Sequence, residues 1–268
     1  SYIVTIHDIL FNDFPEYFSF IYRLKRNFLF KYSAKKSDIL ITVSEYSKYR
    51  IQQVYNLFQK EIFITPNAVN KDFLKDYDKQ KSIDYIFKKY GVDNYILYVS
   101  RIEPRKNQQA LLTMFPDLED LNLNIVFIGN KTINNNILDK EYDNLSADLK
   151  ERVHFFDSIS NDDLLEFYKA AKVFIYPTFA EGFGIPPLEA GALKIPVICS
   201  KNTALYDFKF FEPYHIAADN IDLLKNKLIE ILNDKNEENL VKIQNHIKEK
   251  YSWEKSSQIL MQAIAKKK

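Results

Sequence analysis

Val173-Phe174-Ile175-Tyr176-Pro177, then Glu181-Gly182-Phe183-Gly184-Ile185-Pro186-Pro187-Leu188-Glu189, then Ile195-Pro196-Val197-Ile198-Cys199 is the stretch that decides the fold. Its outer segments are unbroken apolar runs rich in β-prone residues, the pattern of strands covered on both faces. Between them two glycines precede a Pro-Pro pair. Proline suits a first helical turn because its missing N–H would have no intrahelical partner there. The unit reads as strand, glycine loop, helix starting at Pro186, strand. Only 5 of 268 residues are glycine, against a usual level of roughly 7%. Three of them, Gly182, Gly184 and Gly191, fall within ten residues here, so the backbone has a special task at this loop.

The same alternation extends outward. Tyr95–Val99, Asn124–Gly129 and Val153–Phe156 read as further strands, with helices predicted over Asn107–Phe115 and over Asn161–Ala170, the latter capped by Asn161. On the N-terminal side, Tyr2–Ile6, Ile39–Val43 and Glu61–Ile64 read as strands. A helix is predicted over Phe14–Lys36, and Ser44 caps another. Pro66-Asn67 signals a turn. The polar stretch Lys71–Ser82, with no apolar period, is placed near a linker. Helices at about 221–232, 236–249 and 253–266 close the chain, with Trp253 anchoring the last and a Lys266-Lys267-Lys268 tail. Strands alternating with helices indicate parallel sheets with helices on both faces. The expected fold class is α/β, with a doubly wound domain over 71–250, part of another over 1–70, and a closing helix over 251–268.

Composition narrows the function. Lys+Arg 37 against Asp+Glu 36 gives a formal charge of +1, which argues against a global nucleic-acid footprint. Apolar residues at 46% and aromatics at 15% supply a substantial core. The single Cys199 excludes an intramolecular disulfide framework and a Cys-rich zinc site. No 18-residue apolar run and no basic signal-peptide n-region is present.

The glycine loop offers backbone N–H groups and a positive dipole end at a helix N-terminus, and Gly182 and Gly184 allow close approach of a ligand. In open α/β sheets the crevice beyond the strands' carboxyl ends is where ligands bind. Glu181 and Glu189 flank the loop, each able to accept from vicinal hydroxyls, which suits a sugar at each end of a diphosphate. A solvated Glu181, with Glu189 merely favoured by the helix dipole, is the plainer alternative. A second segment, Ser100-Arg101-Ile102-Glu103-Pro104-Arg105-Lys106-Asn107, puts three cations at a strand end. Arg101 and Lys106 suit a clamp on a departing diphosphate; a basic loop paired with Glu103 is the alternative.

Taken together, these segments resemble the retaining nucleotide-sugar glycosyltransferases of the two-Rossmann (GT-B) type, in family 4 (glycosyl transferases group 1). The resemblance also covers Ile3–His7-Asp8, Thr42–Lys48, Pro66–Val69, Pro196-Val197-Ile198 and Ser252-Trp253-Glu254, and so spans nearly the whole chain. It implies that Arg101 and Lys106 bind the donor diphosphate and that Glu189 holds the ribose hydroxyls. It further implies that Glu181 contacts the transferred sugar, and that the loop from Gly182 through Phe183, Gly184 and Ile185 presents N–H groups. His7 would lie near the anomeric carbon. Catalysis is thus assigned to His7, Arg101, Lys106 and Glu181, with no metal and no cofactor beyond a GDP- or UDP-sugar substrate. The Arg-Lys-Asn version of the basic motif resembles mannosyltransferases and points to GDP-mannose. Ala68, Lys194 and Ala204-Leu205-Tyr206-Asp207 depart from the family pattern. The resemblance makes 1–70 the acceptor-side domain, 71–250 the nucleotide-sugar-binding domain and 251–268 a helix packing back toward the first; the family's stretch before His7, including a glycine-rich loop, is missing, so the N-terminal domain is expected to be incomplete.

Between Phe20 and Arg50 eight Lys/Arg face only Asp38 and Glu45, with aromatics interleaved. Such a segment suits an anionic bilayer surface, here through 14–36, or else a core-facing helix with a solvated basic face. The expected function is transfer of a hexose, mannose favoured, with retention, to a glycan or lipid-linked acceptor in bacterial surface polysaccharide synthesis. The expected place is the cytoplasm, at the inner face of its membrane. The alternative is a non-catalytic nucleotide-sugar-binding subunit of a membrane-associated glycan assembly. His154, His215 and His246 show no metal-ligand spacing, and Cys199 reads as core.

Overall fold

The computed structural model describes residues 2–131, 133, 135–234 and 236–266. Nine strands form two parallel sheets among these residues. The first sheet holds β1 (Ile3–Thr5), β2 (Ile39–Thr42) and β3 (Ile62–Ile64), in that order. The second holds β4 (Tyr95–Val99), β5 (Asn124–Ile128), β6 (Val153–Phe156), β7 (Val173–Tyr176), β8 (Val197–Ser200) and β9 (His215–Ile216). Its spatial order is β6-β5-β4-β7-β8-β9. Every pairing is parallel. That order is the 3-2-1-4-5-6 winding of a dinucleotide-binding fold, whose direction reverses between the first and fourth strands. The switch point here therefore lies between β4 and β7. The Ser100–Lys106 loop leaves β4, and the Glu181–Ile185 loop follows β7, so both predicted site segments emerge at that one place.

The central strands form because their residues bury on both faces. β2, β7 and β8 have no exposed position. The second sheet's core includes Leu97, Phe127, Phe167, Phe174 and Leu188, all nearly inaccessible. A smaller core around Ile9, Leu40, Ile51 and Tyr55 serves the first lobe. The closing helix Trp253–Ala265 returns to that lobe, where Ala263 packs with Ile39 and Ile41. Trp253 does not anchor it: its side chain is 59% exposed. Ser256 takes that part, its hydroxyl donating to the Pro66 carbonyl at 2.5 Å.

Several predicted elements differ in detail. The helix expected over Phe14–Lys36 splits into a 3-10 turn Pro15–Tyr17 and a helix Phe20–Lys36, and a short helix Leu10–Asp13 precedes them. Pro15 starts the turn, and Ser19 caps the long helix by accepting from the Tyr22 N–H. Asn161 is not a cap. Ser160 is, accepting from the Asp163 N–H at 3.1 Å while donating to the Asp163 carboxylate at 2.7 Å. The hydroxyl is thus tied to Asp163 twice, once by the backbone N–H and once by the carboxylate. The polar Lys71–Ser82 stretch holds a 3-10 turn Lys71–Leu74 and the start of a helix, Lys79–Tyr90, capped by Asp78 and ended by Gly91 at φ +72°. Phe73 and Ile86 seat these pieces on the second core. Two helices, Asn136–Asp143 and Ala147–Glu151, are additions to the sequence reading. Ser1 and the Lys267-Lys268 end of the tail lie outside the described residues.

Candidate functional site

A cleft of about 290 Å³ opens where the two lobes meet. The first lobe contributes His7 and Asp8, just past β1, with Asn67. The second lobe contributes Arg101, Lys106, Glu181 and the loop from Gly182 to Ile185. Seven of the eight donor-site residues read from the sequence, together with His7, thus share one cavity. Glu189 is the exception and is not on its wall. It is the fifth residue of the helix Ile185–Ala192, one turn beyond its start, and its carboxylate accepts from the Tyr168 hydroxyl at 2.9 Å. Burial pushes the Glu189 carboxyl up, against that hydrogen bond.

At the centre is a buried ion pair. Lys106 Nζ lies 2.6 Å from Glu181 Oε1, with the two side chains 8% and 9% exposed. The Tyr176 hydroxyl donates to the same oxygen at 2.8 Å and accepts from Lys106 at 3.2 Å. An ammonium has three N–H donors, so one remains beyond these two contacts. Arg105 is 3.6 Å from Glu181 Oε2 and 2.8 Å from Glu103. Burial acts to raise the Glu181 carboxyl, but the charges of Lys106 and Arg105 outweigh it, and its pKa lies below the ordinary value. Burial pulls Lys106 below the ordinary lysine value, against the attraction of Glu181. Tyr176, pushed well up by burial and then by Glu181, keeps its proton as a donor.

The loop's shape follows from its glycines and its neighbours. Gly184 has φ +99°, the left-handed region that favours glycine, and leads directly into the helix. Gly182 is needed for space: a Cβ there would meet the Asp8 carboxylate at 2.3 Å. The Gly182 carbonyl accepts from Ser44 Oγ at 2.9 Å and from Ser47 Oγ at 3.4 Å, both on the first lobe. The Glu181 N–H donates to Thr203 Oγ1 at 2.8 Å. No side chain caps the helix, and Pro186 and Pro187 remove two first-turn donors. The amides of Phe183, Gly184 and Ile185 are therefore the donors the cleft can use. Arg101, 61% exposed, is the cation at the rim, 3.2 Å from Glu103.

Three participants were not assigned from sequence. Tyr176 was read only as strand. Asp8 follows His7 and carries no role in the sequence pattern; burial raises its carboxyl, and its Oδ1 accepts from the Leu10 N–H at 3.1 Å. Arg105 was counted as a third cation, and it is held by Glu103 and by the Ala180 carbonyl at 2.8 Å. Asp207, a departure from the family pattern, accepts from the Glu45 N–H at 3.0 Å and so joins the lobes. Asn107 fixes the basic loop by donating to the Pro177 and Ala218 carbonyls. Cys199 is buried, as expected.

Two parallel α/β lobes with a polar, doubly charged cleft at the switch point define the GT-B architecture of sugar transferases. Comparison with known proteins agrees. Residues 79–250 match the family described as glycosyl transferases group 1, and the chain belongs to that family. It is 31% identical over 198 residues to the O-antigen chain mannosyltransferase RfbU of Salmonella typhimurium, covering 74% of this chain and 51% of that protein. It is 28% identical over 210 residues to the O-antigen chain mannosyltransferase B of Escherichia coli, covering 76% and 54%. The chain thus spans about half the length of the curated relatives it matches. Among solved structures, sucrose-phosphate synthase from Thermosynechococcus elongatus aligns with a TM-score of 0.79 at 18% identity, covering 98% of this chain and 67% of that one. Anabaena HepE in complex with UDP and glucose aligns with a TM-score of 0.80 at 17% identity, covering 98% and 71%.

Proposed function

We propose that this chain carries the donor site of a retaining glycosyltransferase that moves a hexose, mannose favoured, from a nucleoside-diphosphate sugar to a glycan or lipid-linked acceptor in bacterial surface polysaccharide synthesis. The observation that carries the reading is the Lys106–Glu181–Tyr176 cluster set beside free loop amides in the interlobe cleft. Lys106 and the exposed Arg101 take the diphosphate, whose negative charge grows as the glycosidic bond breaks. The amides of Phe183, Gly184 and Ile185 bind the phosphate and sugar oxygens. Glu181, kept ionised, accepts from hydroxyls of the transferred ring. His7 lies on the opposite wall, beside the anomeric carbon, and Glu189, off that wall and one turn further along its helix, takes the ribose hydroxyls in exchange for its bond from Tyr168. The acceptor hydroxyl attacks on the face from which the diphosphate departs and gives its proton to the leaving phosphate oxygen. GDP-mannose is the donor of choice because the two curated relatives above are named mannosyltransferases.

The helix Phe20–Lys36 supports a place at the inner face of the cytoplasmic membrane. Phe20, Ile21, Leu24, Phe28, Leu29 and Tyr32 are each more than half exposed among its basic residues. No helix among the described residues is long and apolar enough to cross a membrane.

Calorimetric titration with GDP, UDP and their sugar conjugates, followed by product analysis with GDP-mannose, tests the reading. Nucleotide binding and sugar release or transfer are expected. Binding without any turnover would leave only a nucleotide-sugar-binding subunit, and no binding would end the proposal. Trapping of a glycosyl group on Glu181 would replace same-face attack by double displacement. Sedimentation with vesicles that is indifferent to anionic lipid would remove the membrane contact.

A further inference from the structure

Thr203 holds its backbone where few side chains go. Among the described residues, six other than glycine have a positive φ: Asn56, Asn94, Asn107, Asn122, Lys194 and Thr203. Asparagine tolerates this left-handed region because its short polar side chain can bond locally. A β-branched residue there is an outlier, because its second γ atom crowds the backbone. Thr203, at φ +52°, is the one β-branched residue of the six. Strain of this kind persists where the surroundings over-determine it, and it collects at functional sites.

The surroundings of Thr203 do over-determine it. It opens the 3-10 turn Thr203–Asp207, just past β8. Leu205 of that turn is buried against the glycine loop, where a Cβ on Gly184 would meet its Cδ2 at 2.4 Å. The Leu205 carbonyl accepts from His215 Nε2 at 2.9 Å, and the Asp207 carboxylate accepts from the Glu45 N–H of the first lobe. With the turn so fixed, two successive residues grip the backbone of Glu181. The Thr203 hydroxyl accepts from the Glu181 N–H at 2.8 Å, and the Ala204 N–H donates to the Glu181 carbonyl at 3.3 Å. Glycine at 203 would adopt the same φ without strain and without a hydroxyl. What threonine adds to the turn is therefore the acceptor for the Glu181 amide.

That bond has a directional consequence. The Glu181 side chain leaves the backbone between the two contacts, so the pair sets the line along which its carboxylate is delivered. Lys106 and Tyr176 hold only the far end. Thr203 is half-buried, so water can replace its oxygen, but a water is not tied to the turn and fixes no direction.

We propose that Thr203 is a positioning residue: its hydroxyl, presented by a strained turn, fixes the backbone of Glu181 and so aims the carboxylate that grips the transferred sugar. The inference rests on the donor-site reading above and adds what orients the sugar-binding carboxylate.

The test uses the full chain and its Thr203→Ser, Thr203→Gly and Thr203→Ala variants, titrated calorimetrically with GDP and GDP-mannose, or with UDP and a UDP-hexose where the parent binds uridine more tightly. The nucleotide alone reports the phosphate contacts, and the added sugar reports Glu181. Thr203→Ser keeps the hydroxyl and should bind both ligands within about twofold of the parent. Thr203→Gly and Thr203→Ala should bind the nucleotide within about twofold but the sugar conjugate about five- to tenfold more weakly. Thr203→Gly should also melt within about 4 °C of the parent, since the left-handed backbone suits glycine, so a lost sugar contact in that variant is not unfolding. If Thr203→Gly binds the conjugate as the parent does, or weakens nucleotide and conjugate equally, the proposal falls and the donor-site reading stands. It falls in the same way if Thr203→Ser loses as much as Thr203→Gly, because the hydroxyl is then not the agent. If the parent binds neither nucleotide, the donor-site reading fails and takes this inference with it.

Discussion

Replacing Lys106 by Met should expose how much the buried pair holds and how much it works. The side chains of Lys106 and Glu181 are 8% and 9% exposed, so the surface discount for ion pairs does not apply. Removing one member of a buried pair typically costs about 3–5 kcal/mol, because the other charge is left uncompensated. Here Arg105 stands 3.6 Å from the far carboxylate oxygen and Tyr176 donates to the near one. Part of the compensation survives, and the expected cost is about 2–3 kcal/mol, below that range. For a chain of this size that lowers Tm by roughly 4–10 °C. Loss of a charge-assisted contact to the diphosphate is worth about 1.5–3 kcal/mol, so GDP or UDP affinity should fall roughly 10- to 150-fold.

The pH dependence carries a sign. Glu181 titrates below its ordinary value when folded. Its contribution is full above the unfolded carboxylate value, about 4.3, and is lost as pH falls through the folded one. In Lys106→Met burial meets less opposition, the Glu181 pKa rises, and the acid limb of stability moves to higher pH. Urea denaturation of parent, Lys106→Met, Glu181→Gln and the double variant, followed by circular dichroism across pH 4–8, closes a double-mutant cycle. The reasoning is refuted if the single change costs under about 0.5 kcal/mol, the scale of ordinary surface substitutions, or if the cycle shows no coupling.

Gly182→Ala should be destabilised by about 1–3 kcal/mol, the usual cost of overpacking, because its Cβ would sit 2.3 Å from the Asp8 carboxylate. Adding Asp8→Ala should recover only part of that in thermal melts, because the Asp8 Cβ, 2.8 Å from the new methyl, remains. Ser44→Ala should cost about 1–3 kcal/mol in urea, since one hydroxyl both caps the helix Glu45–Tyr55 and donates to the Gly182 carbonyl. The buried Cys199 thiol, pushed up by burial, should resist a thiol-disulfide reagent in the native protein and react on unfolding. Asp163 is held below the carboxylate range by the Lys89 ammonium and the Ser160 hydroxyl. The stability lead of the parent over Asp163→Asn should thus be complete above the unfolded value, about 3.9, and shrink on acidification.

The sheet pattern was legible because burial on both faces writes continuous apolar runs, and those of β4, β5, β7 and β8 were read nearly residue for residue. The glycine loop was legible because glycine is otherwise so scarce, and the basic loop because Arg101, Arg105 and Lys106 fall together at a strand end. What sequence could not deliver depended on partners far along the chain. Tyr176 looks like any strand tyrosine until β7 is placed beside the basic loop. Lys71–Ser82 looks like a linker because only Phe73 and Ser82 of it are buried, too sparse a signal for a helical period. Ser160 lost to Asn161 by one residue, since both are good caps and only the reciprocal bond to Asp163 separates them. A helix starting at Pro186 makes Glu189 its fourth residue; the start at Ile185 makes it the fifth, a full turn on.

The glycine loop is shaped by both lobes at once. Asp8 limits residue 182 to glycine, and Ser44 and Ser47 hold its carbonyl, so three first-lobe side chains orient the peptide that directly follows Glu181. Glu181 is held in turn by Lys106 and Tyr176 from the second lobe. A change in the angle between the lobes therefore acts on the loop amides and on the Glu181 carboxylate together, through one residue with no side chain to absorb the strain. Site geometry and lobe closure are in this sense one variable: whatever fills the cleft and draws the lobes together also sets the direction of the N–H groups that bind it.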